Sequence, residues 1–184
     1  MAKPNNSLTA EDWLDEALQV MAEEGVNALA VEPLAKRLGV TKGSFYWHFK
    51  NRNELIESVL KFWEEVEQGY IEQFSQQFPD PVKRLESILT ILVDDEVNKF
   101  IFMAIANDSS NSLFTAAYQK AAKRRLDLFE GIYRSIGDSD SEARAMKVYC
   151  QYFGLIKMSV DRPSGKYTKR MHEYLREELL KSAL

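Results

Sequence analysis

Apolar side chains recur at every third or fourth position along most of the chain, and this period constrains the fold more than any other feature of the sequence. Such spacing places side chains on one face of an α-helix, whereas a half-buried β-strand would alternate apolar and polar residues. No segment of the sequence shows that alternation. Glycine, proline and capping residues divide the chain into nine predicted helices with short connections, so the sequence predicts an all-α fold.

Local signals mark the ends of the predicted helices. Thr9 with Asp12, Asn51 with Glu54, and Asp80 with Pro81 each form a helix-starting pattern. The long fourth helix has a predicted inward stripe at regular spacing, made of Leu55, Val59, Phe62, Val66, Tyr70 and Phe74.

We expect two domains, a small N-terminal domain over residues 1–55 and a larger helical domain over residues 56–184. The apolar fraction of 45% is enough for a packed core. Cys150 is the single cysteine, and the sequence has no signal-peptide pattern and no apolar run long enough to span a membrane. We therefore expect a cytoplasmic protein without disulfides and without a membrane segment.

The net charge of −4 is unevenly distributed. Between Pro33 and Asn53 there are five basic residues and no acid, whereas residues 11–24 carry six acids and no base. The basic residues are Lys36, Arg37, Lys42, Lys50 and Arg52. A local basic face on an acidic protein can bind phosphates, because salt screens distant surface charges. A merely solvated run of charges explains the composition equally well.

Two short predicted helices, joined by a turn that contains Gly39, form a helix-turn-helix pattern over residues 34–49. Phe45 and Phe49 are four residues apart, and we assign both to the core. The outward face of the second helix carries side chains suited to phosphates and base edges, namely Thr41, Lys42, Ser44, Tyr46, Trp47 and His48. Thr41 is also expected to cap this helix.

The segment from Trp13 to Leu60 resembles the DNA-binding domain of TetR-like (tetracycline-repressor-type) regulators. The family pattern runs through Gly-Val-Thr-Lys-Gly-Ser, then Tyr-x-His-Phe, a basic residue and Glu-Leu, and residues 39–55 carry it contiguously. The resemblance implies DNA contacts by Thr41, Lys42, Gly43, Ser44, Tyr46, Trp47, His48 and Arg52. It also implies that Tyr46, His48 and Arg52 contact mainly phosphate.

Two positions in this segment differ from the family pattern. Ala30 stands where the family often has a threonine or serine that caps the second helix, so this cap is expected to be absent. Trp47 is bulky at a variable position, where it either contacts a base methyl group or covers the helix.

The larger domain has the length and helix count of the family's ligand-binding domain but no specific motif. Some of its aromatic and sulfur side chains are expected to line a small-molecule pocket. The candidates are Phe62, Phe102, Met103, Tyr118, Tyr149 and Tyr152. Each of them, taken singly, is also what an ordinary helical core would contain. The basic run at Lys120, Lys123, Arg124 and Arg125 is interpreted as a solvated face.

The resemblance implies a homodimer formed by the last two helices, over residues 141–160 and 168–183, with Cys150 buried there as a small apolar residue. The expected function is that of a repressor that a small-molecule ligand releases from a palindromic operator in double-stranded DNA. A regulator controlled by a protein partner and an all-helical enzyme remain as alternatives. No cofactor or metal is expected, because the only histidines are His48 and His172 and no paired ligand motif accompanies them.

Overall fold

The described part of the chain consists of α-helices joined by short turns. The computed structural model describes residues 8–108, 111–161, 173–174, 177–179 and 181. The helices are α1 (Ala10–Glu24), α2 (Val31–Arg37), α3 (Lys42–Phe45), α4 (Arg52–Gln77), α5 (Pro81–Asp94), α6 (Glu96–Asn107), α7 (Ser112–Ser135) and α8 (Ser141–Asp161), with a 3₁₀ turn at Val26–Ala28. These residues contain no strand, and the all-α prediction is confirmed. Residues 173–174, 177–179 and 181 are helical, and the rest of the predicted ninth helix lies outside the described residues.

The helix starts predicted from the sequence are confirmed by side-chain hydrogen bonds. The Thr9 hydroxyl accepts from the Asp12 amide at 3.2 Å, and the Asp12 carboxylate accepts from the Thr9 amide at 2.6 Å. This second bond lowers the pKa of Asp12. Asn51 caps α4 by accepting from the Glu54 amide, and Asp80 caps α5 through two backbone amides.

The first three helices share a small aromatic core. Trp13 of α1, Leu34 of α2 and Phe45 of α3 are all 0% exposed. The rings of Trp13 and Phe45 meet edge to face, with their centroids 5.5 Å apart. Ring packing therefore holds the short helix α3 against α1.

The long helix α4 contacts α1, α5 and α7, and its buried face differs from the predicted stripe. Leu55 and Val59 are buried as predicted, but Val66 and Tyr70 are 38% and 46% exposed, and Phe62 and Phe74 are only half-buried. The buried face continues instead through Ile56, Leu60, Trp63 and Glu67. The physical reason is that three helices, α1, α5 and α7, pack on α4, and a period within one helix does not specify which sides its neighbours cover.

The helices α5 to α8 pack together and against α4, with α7 and α8 forming the most extensive pairing. The helix α1 also packs on α6. The buried face of α8 includes Val148, Tyr152 and Ile156. Cys150 is exposed in the protomer, so its expected burial in a dimer interface stays a prediction. Among the described helices, none is both long and apolar enough to cross a membrane.

Candidate nucleic-acid interface and the slot behind it

The turn between α2 and α3 is tight because Gly39 adopts a left-handed conformation, with φ of 69°. The Val40 amide then donates to the Ala35 carbonyl at 2.9 Å. The helix α3 is shorter than predicted, since it ends at Phe45 and continues as a turn through Tyr46–His48. Thr41 occupies the cap position of α3, but its hydroxyl makes no capping hydrogen bond, so that expectation is wrong.

The predicted DNA-contacting side chains lie together on the outer side of this segment. Trp47 is 88% exposed and Tyr46 is 55% exposed, although both are large and partly apolar. Thr41, Lys42 and Gly43 are also exposed, whereas Ser44 and His48 are half-buried. Phe45 and Phe49 point the other way, with 0% and 4% exposure, which confirms their assignment to the core. The buried phenylalanines thus hold the polar and aromatic side chains outward.

Gly43 has no steric requirement for glycine within the protein. A Cβ built at Gly43 would meet only the Thr41 hydroxyl oxygen, at an ordinary contact distance of 3.6 Å, and its φ lies outside the left-handed region. Since alanine is the better helix former, the fold itself would favour a side chain here. The absence of one leaves the backbone of α3 open to close approach from outside.

Two residues of the predicted basic face, Lys42 and Arg37, form ion pairs within the protein. Lys42 pairs with Glu32 of α2 at 2.8 Å, and this hydrogen bond raises the pKa of Lys42. Arg37 bonds three carboxylates of α1, those of Glu16, Glu23 and Glu24, and the Glu16 and Glu23 bonds raise its pKa. Arg37 therefore joins α2 to α1, and this corrects its inclusion in a phosphate-binding face.

Arg52 is positioned by the backbone of the loop that leads into α2. Its Nε donates to the Leu29 carbonyl oxygen, so the head of α4 is attached to the segment that leads into α2. Ala30 occupies the cap position of α2 without a side-chain hydrogen bond, as predicted from the sequence. The guanidinium of Arg52 thereby has a structural contact in addition to its predicted contact with phosphate.

A narrow apolar slot of about 50 Å³ lies between α4, α5, α6 and α7. Its apolar walls are Ile71, Phe74, Ile88, Ile91, Leu92 and Leu128, and its polar lining is Glu67, Tyr70, Asp95, Asn98 and Arg125. An outer groove of about 310 Å³ between α1, α4 and α6 shares four of the polar residues with the slot. The shared polar residues thus lie between the apolar slot and a wider groove that reaches α1.

A buried ion pair stands at the wall of this slot. Arg125 is 3% exposed, and its Nη2 donates to Glu67, which is 6% exposed. Its Nη1 donates to the Tyr152 hydroxyl at 3.3 Å, and its guanidinium carbon lies 3.8 Å from the centroid of the Phe102 ring. Burial by itself would lower the pKa of Arg125, but Tyr152 and Glu67 outweigh burial and raise it, so the guanidinium stays charged. Burial also raises the pKa of Tyr152.

The six side chains predicted to bind a ligand lie around the slot rather than on it. Phe102 and Tyr152 contact Arg125 from behind, and Tyr118 lines a surface groove between α7 and α8. Tyr149 is buried, and burial raises its pKa above the ordinary value. Met103 is buried and Phe62 is half-buried, and neither lines the slot or the outer groove.

The sequence interpretation did not select Glu67 and Arg125, although their spacing carried a signal. Arg125 lies four residues after the buried Ala121 and four before the buried Phe129. Glu67 similarly follows the buried Trp63 by four. Charged residues in register with an apolar helix face indicate a buried pair. The solvated-face interpretation of the basic run is correct for the exposed Lys120 and Lys123 and wrong for Arg125.

The geometry shows a helix-turn-helix segment followed by longer packed helices, and comparison with known proteins shows what this arrangement is similar to. Residues 14–59 match the family described as "Bacterial regulatory proteins, tetR family". The HTH-type transcriptional regulator AcrR of Shigella flexneri is 34% identical over 95 residues, which cover 50% of this chain and 43% of AcrR. The class D tetracycline repressor protein of Escherichia coli is 35% identical over 52 residues, which cover 28% of this chain and 24% of the repressor. The matched segment thus spans less than half the length of either relative.

The likeness in fold extends over nearly the whole chain. The crystal structure of a transcriptional regulator from Rhodococcus sp. Rha1 superposes with a TM-score of 0.79, covering 96% of this chain and 94% of that one at 20% identity. Such low identity shows a common fold alone. The family match is confined to residues 14–59, and over the rest of the chain the likeness is one of fold. The predicted resemblance to TetR-like regulators and the predicted fold are confirmed, and the similar proteins bear the names of transcriptional regulators or repressors.

Proposed function

We propose that this chain is a sequence-specific, DNA-binding transcriptional regulator, a repressor that a small molecule releases from a palindromic operator in the cytoplasm. The observation that carries the proposal is the outward display of Tyr46 and Trp47 above the buried Phe45 and Phe49, in a segment that matches the family. An 88% exposed tryptophan has no packing role in the protomer, whereas a major groove offers it base edges and thymine methyl groups.

The DNA-binding surface in this proposal comprises Thr41, Lys42, Gly43, Ser44, Tyr46, Trp47, His48 and Arg52. Lys42, Tyr46, His48 and Arg52 are assigned to phosphate, and Trp47 to base edges. The bare backbone at Gly43 supports close approach to DNA, because the protein itself does not require glycine there. The domains of this proposal are residues 1–55 for DNA binding and residues 56–184 for effector binding and dimerisation.

The proposed dimer pairs the α8 helices and the segment that follows them about a two-fold axis. Met146 and Met158 are 49% and 42% exposed, and with the exposed Cys150 they form an apolar stripe along α8 at spacings of four and eight residues. Such a stripe fits an isologous interface, in which each surface meets its own copy. A dimer of this kind presents two recognition segments, residues 41–48 of each protomer, to two half-sites of a palindrome.

The proposed effector site is the slot between α4, α5, α6 and α7. One side of the slot is α4, and the same helix begins beside the helix-turn-helix segment. A ligand that widens this slot of about 50 Å³ moves α4 relative to α5 and α7. The movement of α4 changes the separation of the two recognition segments. The ligand shifts the equilibrium only by its preference for one arrangement.

The test is selection of bound duplexes from a random DNA library, followed by affinity measurements on Gly43→Ala and Gly69→Ala. Gly69 lies on α4 with open space around it, so it is a matched glycine on a helix outside the DNA surface. We expect a palindromic sequence, an affinity that falls steeply with salt, and a loss of affinity by about tenfold or more in Gly43→Ala alone. Recovery of no preferred sequence, or equal affinities of the two variants, would contradict the proposal.

A further inference from the structure

Glu67 of α4 lies between two neighbouring arginines of α7 and is bonded to one of them. Arg125 donates to its Oε1, whereas Arg124 Nη2 stands 3.7 Å from its Oε2. That Arg124 nitrogen is buried and has no hydrogen-bond partner among the described residues. The other terminal nitrogen of Arg124 is held by the Glu64 carbonyl at 3.2 Å. Glu67 therefore has a second guanidinium within about 1 Å of charge-assisted hydrogen-bond distance.

If the buried ion pair separates, Glu67 and Arg125 differ in the charged partners that each can still reach. Glu67 can move onto Arg124 and stay paired. Within the described residues, the hydrogen bonds of Arg125 go only to Glu67 and to the Tyr152 hydroxyl, so Arg125 would lose its one carboxylate. A buried charge without a partner is strongly destabilising. The site therefore tolerates a new anion beside Arg125 far better than a new cation beside Glu67.

We propose that the slot binds a slender amphiphile that carries a carboxylate, and that this carboxylate takes Arg125 while Glu67 transfers to Arg124. The proposal rests on the effector role proposed above and names the chemical class of the ligand. The guanidinium offers a planar pair of donors that matches a carboxylate. The apolar walls, which include Ile88 and Ile91, accept the hydrocarbon part, and the volume of about 50 Å³ favours an unbranched chain.

Besides Glu67, Asp95 is a second acidic residue that lines the slot and opposes an anion. Its carboxylate also lines the slot, and it caps α6 by accepting from the Asn98 amide at 3.0 Å. Asparagine is an equally good capping residue, so Asp95→Asn removes the charge and keeps the cap. The variant consequently separates the electrostatic contribution of Asp95 from its structural one.

The exchange connects ligand binding to the DNA-binding domain. Arg124 and Arg125 are consecutive on α7, so their side chains leave the helix about 100° apart. When Glu67 changes partner, the contact between α4 and α7 passes from Arg125 to Arg124, and α4 begins at Arg52 beside the recognition segment. The carboxylate of the ligand thus favours one of two arrangements, and Glu67 is paired with an arginine in both.

The experiment is titration calorimetry on the full chain without DNA, using octanoate, octylamine and octanol as probes of equal chain length. We expect octanoate to bind at least about tenfold more tightly than octylamine or octanol, as hydrogen bonds to charged groups give. Arg124→Gln should weaken octanoate binding about tenfold or more, because Glu67 then has no second partner. Asp95→Asn should tighten it, and Lys123→Gln, a change at an exposed neighbour on α7, should leave it unchanged.

Several outcomes would overturn the inference. These are octylamine binding as tightly as octanoate, the absence of binding by all three probes, and equal octanoate affinities of Arg124→Gln and Lys123→Gln. An unchanged or weaker affinity in Asp95→Asn would also overturn it. Since no DNA is present, these results are independent of operator binding. A chain that binds octanoate but no specific duplex would contradict the proposed function and leave the carboxylate site standing.

Discussion

Lys42, the first residue of α3, forms an ion pair with Glu32 of α2, with 2.8 Å between Nζ and Oε1. Both side chains are more than half exposed, so water screens the pair and its contribution is small. The Lys42 ammonium group, which would contact a DNA phosphate, is thus already paired with a carboxylate of the protein. In the proposed complex, Glu32 and DNA therefore compete for Lys42.

Replacing Glu32 by glutamine should strengthen DNA binding. The change releases Lys42 and removes a negative charge near the phosphates. Since DNA no longer has to break an exposed ion pair, we expect its affinity to rise about two- to fivefold. The measurement is fluorescence anisotropy with the selected duplex at two salt concentrations. Glu11→Gln, at an exposed position on α1, is the matched loss of one acid and should change the affinity less. Equal gains in both variants would show that only net charge matters.

Lys42→Ala and Tyr46→Ala should each weaken DNA binding without unfolding the protein. Loss of one phosphate contact should reduce the slope of log affinity against log salt by about one for Lys42→Ala. Circular dichroism melting serves as the control, because both side chains are exposed and their truncation leaves the core intact. Unchanged affinity in both variants would contradict the assignment of this surface.

Phe45→Ala should destabilise the protein, in contrast to the neighbouring Tyr46→Ala. Phe45 is 0% exposed and packs against Trp13 and Phe49, so its truncation leaves a cavity and costs about 3–5 kcal/mol. Tyr46 is 55% exposed, and its truncation should change stability by only about 0.5 kcal/mol. Urea unfolding followed by circular dichroism gives both values. Similar losses of stability in the two variants would contradict the placement of Phe45 in the core and Tyr46 on the surface.

Glu67→Gln should lower the free energy of unfolding by about 3 kcal/mol, because it leaves the buried Arg125 without a carboxylate. Glu65→Gln, whose parent side chain is exposed and pairs loosely with Lys61, should change it by only about 0.5 kcal/mol. Adding Arg125→Met to Glu67→Gln should restore part of the loss, since no buried charge then lacks a partner. A double variant less stable than Glu67→Gln would refute this explanation.

Met158→Asp should dissociate the proposed dimer. The two-fold axis places the new carboxylate in the interface twice, and desolvation of unpaired charges should raise the dissociation constant by about a hundredfold or more. Gln73→Asp adds the same charge at an exposed position of α4 and should leave the dimer intact. Sedimentation velocity over a dilution series measures both, and equal behaviour of the two variants would argue against an α8 interface.

The sequence determined the helices, their starts and the recognition segment, because each of these depends on residues close together in the chain. Thr9 and Asp12 form a capping box within one turn, and Gly39 sets the turn between α2 and α3. Phe45 and Phe49 are buried as their spacing predicts. These features follow from local backbone geometry and from the period of the helix.

Only the tertiary structure decided which partner each charged side chain has. Arg37 and Arg125 look alike in the sequence, yet one joins α2 to the acids of α1 and the other is buried against Glu67, 58 positions away. The face of α4 that is covered likewise depends on which helices pack on it, so Val66 and Tyr70 are exposed against prediction. Pairing and burial between segments distant in sequence depend on how helices are arranged in space, and a helical period specifies a face without specifying what covers it.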